Sequence, residues 1–534
     1  MRKSKATFNK AILQQTQKKI HSVVKPKVLF SGYGNYGASY ARKSLLSFIA
    51  SGHSPDDDIT YNLKTLRARS RELSMGAPLA RSALNTLSTN TIGTGLMLNA
   101  NIDGELLGLS IEEAEKWKNL VETEWKLYSE SIACDASRKL TFYQLQFLAF
   151  YSTLLSGDCF IALPYIKRPE SPYELKIYVI EGDRVCDPYD GTNFLANTLE
   201  GVELGPYGEP KYYYVAKIHP GSTLFNDNTV KQEWKKVPVF GLRTGRRNML
   251  HLMANVERPE QRRGVPLLAP VIESLKTLSR YTDAELMAAL VSGLFTVFIT
   301  HENSSAGISG AGGFFDDAFE NVTTEDDIAM GNGAIVNLPE GAKAESVDPG
   351  RPNSNFEGFV NAIVTQIGSC LGMSKEVILK EFNSSYSASR AALLEFWKTT
   401  KFNRQWFKDG FCQPIYEEWL SEAVSLGRIS APGFFEDPTV RKLWCQAEWA
   451  GDAPGSIEPV KEANAALIRI KSGLSTIEKE AAEISGLDVR TIAKQRGFEN
   501  KLFSDSGVVL TSINDQQIAE IVKEDEGDRN NDDE

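Results

Sequence analysis

The chain has 534 residues, 42% of them hydrophobic and 10% aromatic. That composition fits a folded protein of several domains and excludes a disordered or collagen-like one. Its formal charge of −10 excludes a protein that wraps nucleic acid on a generally basic surface. The six cysteines (Cys134, Cys159, Cys186, Cys370, Cys412, Cys445) lie far apart with no CxxC, which excludes a zinc ribbon or a dense disulfide scaffold and suits a reducing cytosol.

The N-terminus is charged and has no apolar h-region, so no secretory signal is expected. The longest apolar run, Leu286 to Ile299, is interrupted by Ser292, Gly293 and Thr296. It falls short of the roughly 18 residues of a membrane helix, and the chain reads as soluble with no membrane partner. Residues 1–30 carry eight lysines and arginines and no acid, which predicts a solvated basic arm, with ordered structure beginning near Tyr61.

Gly32-Tyr33-Gly34-Asn35-Tyr36-Gly37 is a literal GxGxxG, and Asp56 to Asp58 lie about twenty residues on, where a ribose-binding acid would sit. No second strand leads to those acids, so the βαβ unit is incomplete and a flexible linker is the preferred reading. The alternative, a Rossmann-type nucleotide-binding enzyme using Gly32, Gly34 and Gly37, predicts cofactor binding by the free protein.

Further on, Ser110 with Glu113 forms a capping box, and Ala114, Trp117, Val121, Trp125 and Tyr128 share one helical face. Thr141 with Gln144 starts a second helix that ends near Gly157. Cys159 to Leu163 and Leu175 to Ile180 read as strands, and the turn at Gly205 to Gly208 before Tyr212–Val215 reads as a hairpin. Apolar residues from Val271 to Ala289 recur at helical spacing. Strand-like Leu294 to Ile299, a Ser/Gly loop at Asn303 to Gly313 and a β stretch at Gly333 to Leu338 follow. A helix through Phe356, Phe359, Ile363, Ile367 and Leu371 stops at Gly372, so two helices flank an insertion of about sixty residues. A long aromatic-rich helix from about Ser387 to Leu426 is expected to kink at Pro414. Residues 521–534 carry seven acids and predict a disordered tail.

No catalytic constellation emerges. His301-Glu302 is half of an HExxH motif, but position 305 is serine, and the five histidines are dispersed. Gly307-Ile308-Ser309 is followed by Gly310 and Ala311, so there is no nucleophile elbow. Neither a metal nor a cofactor is expected, and the chain is read as a non-enzyme.

Four blocks in order carry a resemblance. They are Arg69 to Gly95; His251-Leu252 with Arg262 to Pro266; Leu371 to Glu376 with Ser385 to Arg390 and Glu395-Phe396-Trp397; and Ser472 to Glu480. Over roughly residues 60–510 the chain resembles the lambda-type phage portal proteins. The resemblance implies an α+β portal fold. After a basic arm (1–60) come an α+β wing (61–265), a stem helix (266–292), a β-containing clip (293–353) and a second stem helix (354–378). A tunnel loop (379–386), a long kinked helix (387–428), a helical crown (429–520) and an acidic tail (521–534) complete it.

It further implies a homo-oligomeric ring, usually dodecameric, at one capsid vertex of the virion, assembled in the host cytoplasm. The ring would conduct double-stranded DNA without sequence preference. Its partners would be terminase, the major capsid protein and head-completion or tail adaptor proteins. The DNA-facing residues would be Lys375, Leu379, Lys380, Glu381, Phe382, Asn383, Ser384, Ser385 and Tyr386.

Overall fold

The computed structural model describes residues 38–39, 42–48, 50–188, 198–223, 232–293, 297–301, 342–346, 355–383, 385–453, 459–485 and 489–505. The chain divides into two units, Met1–Asp58 and Ile59–Glu534. The GxGxxG stretch, the Ser/Gly loop at 303–313, the β stretch expected at 333–338 and the acidic tail lie outside the described residues. In the first unit, Pro55–Asp58 forms one helical turn. Asp57 accepts from the Ser54 hydroxyl, whose oxygen in turn accepts from the Asp57 amide.

The second unit opens with a helical hairpin, α1 (Leu63–Gly76) and α2 (Pro78–Thr91). Pro78 holds the preceding Ala77 extended (φ −114°, ψ 109°), so one helix ends where the next begins. Strand β1 (Met97–Ala100) follows a turn in which Gly93 and Gly95 both take positive φ. Helix α3 (Ile111–Ser129) and helix α4 (Phe142–Ser156) start at the two expected capping boxes, each with its reciprocal pair of hydrogen bonds. Ala114, Trp117, Val121, Trp125 and Tyr128 are all buried, as their spacing predicts. Trp125 meets Phe142, Tyr416 and Trp419 edge to face at 4.9–5.8 Å, which joins helices nearly three hundred residues apart in sequence.

Strand β2 (Asp158–Ala162) pairs antiparallel with β3 (Tyr178–Glu181). The expected strand at Leu175 to Ile180 therefore begins later, with Leu175 only bridging Tyr165. Strands β4 (Thr198–Leu199), β5 (Val202–Leu204), β6 (Pro210–Ala216) and β7 (Trp234–Pro238) form a separate antiparallel meander. Strand β8 (Met249–Met253) closes the first sheet on the other side of β2. Side chains alternate along β2. Cys159 and Ile161 enter the main core with the helices, while Phe160 joins Val202, Tyr213 and Val215 of the meander. Both faces of β2 are thus buried, which is why the strand is apolar from Cys159 to Ala162 after its opening Asp158.

Helix α5 (Ile272–Gly293) buries Leu275 and Leu278 near its start. Strand β9 (Val297–His301) pairs antiparallel with β10 (Ala342–Ser346), and helix α6 (Phe356–Cys370) returns. Tyr281 lies against Phe356 and Phe359, so the two helices flanking the insertion run side by side, as their sequence placement implies. The short α7 (Lys375–Leu379) leads to α8 (Tyr386–Phe407). The expected single helix to Leu426 is interrupted. Lys408–Cys412 forms a π turn, and Pro414 sits in the first turn of α9 (Gln413–Ser425) instead of at a mid-helix kink.

The segment after α9 returns to the main core through Ile429, Phe434 and Trp444. It contains α10 (Pro438–Trp444) and β11 (Ala447–Ala450), which pairs with β1. Helices α11 (Pro459–Lys471), α12 (Ile477–Ser485) and α13 (Val489–Asp505) end the described chain. The fold is α+β. Every strand ladder among the described residues is antiparallel, and Asp56–Asp58 lie in a helical turn, so the described residues supply no parallel βαβ frame to support the nucleotide-binding alternative, whose Gly32–Gly37 stretch lies outside them. No helix among the described residues is long and apolar enough to cross a membrane.

Candidate functional site

The residues singled out from sequence cluster between α6 and α8. Gly372 takes φ +70° after α6, where a side chain would be strained, and the Ser374 hydroxyl then caps α7 by accepting from the Val377 amide. Val377 and Ile378 are buried, and the Ser82 hydroxyl of α2 donates to the Ile378 carbonyl at 3.2 Å. These contacts anchor α7 to the core. Lys375 and Leu379 are consequently half-buried parts of a helix, not of a loop.

Lys380 ends α7 in the left-handed region (φ +57°), which swings the following residues outward. Lys380, Glu381, Phe382, Asn383 and Ser385 are exposed, and Phe382 retains 47% of its surface. The Asn383 amide donates to Glu381 at 2.5 Å. Ser385 precedes α8, and Tyr386 is its first residue. Ser384 lies outside the described residues. The segment therefore presents ammonium, amide and hydroxyl donors, with one carboxylate tempering the positive charge. Its described residues hold no nucleophile–base pair.

The charged centre that sequence reasoning missed lies deeper, at the start of β2. The Asp158 carboxylate is fully buried and accepts from Arg263 (Nε 2.5 Å, Nη2 3.1 Å) and from Arg67 Nη2 (2.7 Å). Burial by itself raises its pKa. Arg263 and then Arg67 outweigh that and hold the carboxyl well below the ordinary range. His251 Nε2 lies 3.4 Å away, and burial lowers its pKa despite the neighbouring acid. Arg263 also donates to the carbonyls of Val185, Glu200 and Gly182, and Arg67 donates to that of Ser156. One carboxylate thus ties α1, both sheets and the approach to α5 together.

Glu181, Asp183 and His219 bring three possible metal ligands within 4.8 Å. Arg71 already bonds both carboxylates, and His219 Nδ1 accepts from the Gly221 amide, leaving Nε2 to carry the proton. That donor set is an ion-pair cluster and suits a cation poorly. All six cysteines are free thiols, and burial pushes Cys134, Cys159 and Cys445 up to about 12, far from thiolate chemistry at neutral pH.

A family model described as phage portal protein, lambda family, matches residues 42–404. Portal protein B of Escherichia phage lambda is 24% identical over 485 residues, spanning 88% of this chain and 89% of that protein. The portal protein of Escherichia phage N15 is 24% identical over 486 residues with the same coverage. Among solved structures, a chain of the virion of a native gene transfer agent particle aligns with a TM-score of 0.42 at 13% identity. The alignment covers 79% of this chain and 92% of that one.

Proposed function

The chain belongs to the lambda family of phage portal proteins, and from that premise we propose that copies of it, twelve in the usual case, close into a ring at one capsid vertex of the virion. The ring conducts double-stranded DNA inward under terminase and outward at ejection, and it carries the head-completion or tail adaptor proteins. It sits among the major capsid proteins, after assembly in the host cytoplasm. The observation that carries this reading is the match to the family across residues 42–404. The protein's work is then mechanical and electrostatic, with no catalytic step.

A duplex carries one negative charge per ~1.7 Å, so a densely basic bore would grip it and stall transport. The net charge of −10 suits sliding, with a few donors at a constriction. We assign that constriction to Lys380–Ser385, with Lys375, Leu379 and Tyr386 as its helical shoulders. Lysine and asparagine there meet phosphates without reading bases.

The test has two parts. Purified protein is expected to give closed rings by native mass spectrometry and negative-stain imaging without nucleic acid. Only monomers and dimers at micromolar concentration would sink the ring. Replacing residues 380–385 by a Gly/Ser linker is expected to leave rings and proheads normal, while heads package poorly or leak their genome. Wild-type packaging and retention in that variant would remove the segment from the channel.

A further inference from the structure

We propose that neighbouring subunits of the ring are joined by a basic, leucine-tipped turn at Leu242–Arg243 seated in an acid-rimmed apolar groove at the start of α3. The proposal rests on the ring reading above and names the surfaces that would make its repeated contact.

The turn continues from β7 toward β8. Phe240 bridges Arg247, and the Gly241 and Gly245 amides donate to the Arg246 and Gly241 carbonyls at 2.6 and 2.8 Å. Two arginines lock its base. The Arg246 guanidinium lies 3.8 Å from the Tyr165 ring centroid, donates to the Leu163 carbonyl and pairs with Glu418. The Arg247 amide donates to the same Glu418 carboxylate, and its guanidinium covers Phe240. At the apex Leu242 keeps 81% of its surface, and Arg243 beside it is exposed with no carboxylate in ion-pair reach among the described residues. The turn thus holds an exposed leucine beside an exposed arginine on a base fixed by Arg246 and Arg247. Residues 235–247 contain five lysines and arginines and no acid.

The groove has the opposite character. It encloses about 470 Å³ lined by Ile102, Leu109, Ile111 and Ala114, with Glu105 and Glu115 among its walls. Ile111 keeps 90% of its surface and neighbouring Leu106 keeps 67%. Residues 103–115 contain five acids and no lysine or arginine. Some of that charge is already engaged. Glu113 belongs to the capping box and Glu115 pairs with Arg490, while Lys118 at the far wall donates to Asn101. Glu105 and Glu112 are exposed with no cation in ion-pair reach among the described residues.

A leucine flanked by positive charge is the complement of an apolar groove flanked by negative charge, and such matching sets partner choice. Because the two patches are different surfaces of one chain, the contact is heterologous, the type that generates rings when the rotation closes. A second copy is therefore the occupant.

The test uses the full chain. Leu242→Asp/Arg243→Glu is expected to leave far-ultraviolet circular dichroism unchanged and to abolish rings by native mass spectrometry. Arg243→Glu alone and Glu105→Arg alone are each expected to lower the ring fraction roughly tenfold or more. Mixing those two single variants in equal amounts is expected to restore closed rings of alternating subunits, since each reversed charge then meets its opposite. Undiminished rings in the variants, or no recovery on mixing, would overturn the assignment. So would intact rings with reduced DNA retention, which would make the turn a nucleic-acid contact. Failure of the wild-type protein to form any ring tells against the proposed function itself and is seen before a variant is made.

Discussion

Asp158→Asn is expected to destabilise the subunit by about 3–5 kcal/mol, because it leaves the buried Arg263 guanidinium without its paired carboxylate and Arg67 with only Asp183, 3.7 Å away. Asparagine keeps the shape of the side chain, so the loss reports charge and not a cavity. Arg263 is fully buried beside Asp158 and Arg67 is nearly so, and neither has water to fall back on. The expected readout is a lower urea midpoint of the purified chain by circular dichroism, with most of the expressed protein insoluble. A wild-type midpoint would show that the cluster is not a source of stability.

Replacing all three charges together, with Arg67→Met, Asp158→Leu and Arg263→Met, is expected to cost less than Asp158→Asn alone, since no unpaired charge remains. It is not expected to be neutral. The carbonyls of Val185, Glu200, Gly182 and Ser156 lose their guanidinium donors.

The pH dependence has a definite sign. The folded-state pKa of Asp158 lies below its unfolded value, so its contribution is complete above the unfolded carboxylate pKa of about 4. It is lost progressively as pH falls below that value toward the folded pKa. The Asp158→Asn protein is therefore expected to show a flatter acid limb than wild type between about pH 4 and pH 2, a difference that pH-dependent urea titrations would reveal.

What was legible in the sequence was what local physics decides. The face of α3 could be read from five apolar positions because a helix buries residues at its own period, and the two capping boxes specify their ends within four residues. The hairpin at Gly205–Gly208 was legible for the same reason, since turn and strands lie adjacent in the chain. Partners distant in sequence were not. Nothing near Asp158 announces Arg263, which lies 105 positions further on, and β1 finds β11 only across the long stretch from residue 101 to residue 446.

Two misplacements have a common origin in helix chemistry. Pro414 was expected to bend a helix at its own position. Lacking an N–H and clashing with the carbonyl four residues back, it displaces the irregularity upstream, onto the π turn at Lys408–Cys412. In the candidate tunnel segment, five residues are too few to show a helical period, so periodicity ended the preceding helix at Gly372 and did not mark α7 as a separate helix reaching Leu379. Its start signal, Ser374 before Lys375 and Glu376, was nonetheless present. The charge balance of the exposed part was legible, because exposure leaves residue type as the main determinant.

Gly264→Ala is expected to prevent folding of the second unit as completely as any single substitution among the described residues. Gly157 and Gly264 face each other backbone to backbone where α4 hands over to β2 and the chain leaves β8 for α5. A Cβ on Gly264 would stand 1.9 Å from the Gly157 carbonyl oxygen, and one on Gly157 would stand 2.5 Å from the Gly264 oxygen. Neither neighbour is a side chain that could rotate away. Both are main chain, and the Gly157 carbonyl accepts from the Ala254 amide at 2.8 Å. Gly157 also takes φ +89°, so alanine there adds backbone strain to the clash. Separating the two strands of chain enough to admit a methyl group would pull Asp158, the next residue, away from Arg263, which precedes Gly264. The steric and ionic penalties therefore add, for a loss of several kcal/mol. Gly108→Ala is the control. It shares a positive φ of +71° but has nothing within 4 Å of the added Cβ, so only strain of about 1 kcal/mol is expected. Soluble yield and urea midpoint separate the cases. Gly108→Ala should purify as folded subunits, while Gly264→Ala and Gly157→Ala should not. A soluble, cooperatively unfolding Gly264→Ala protein would show that the close approach of the two glycines is not essential to the fold of the second unit.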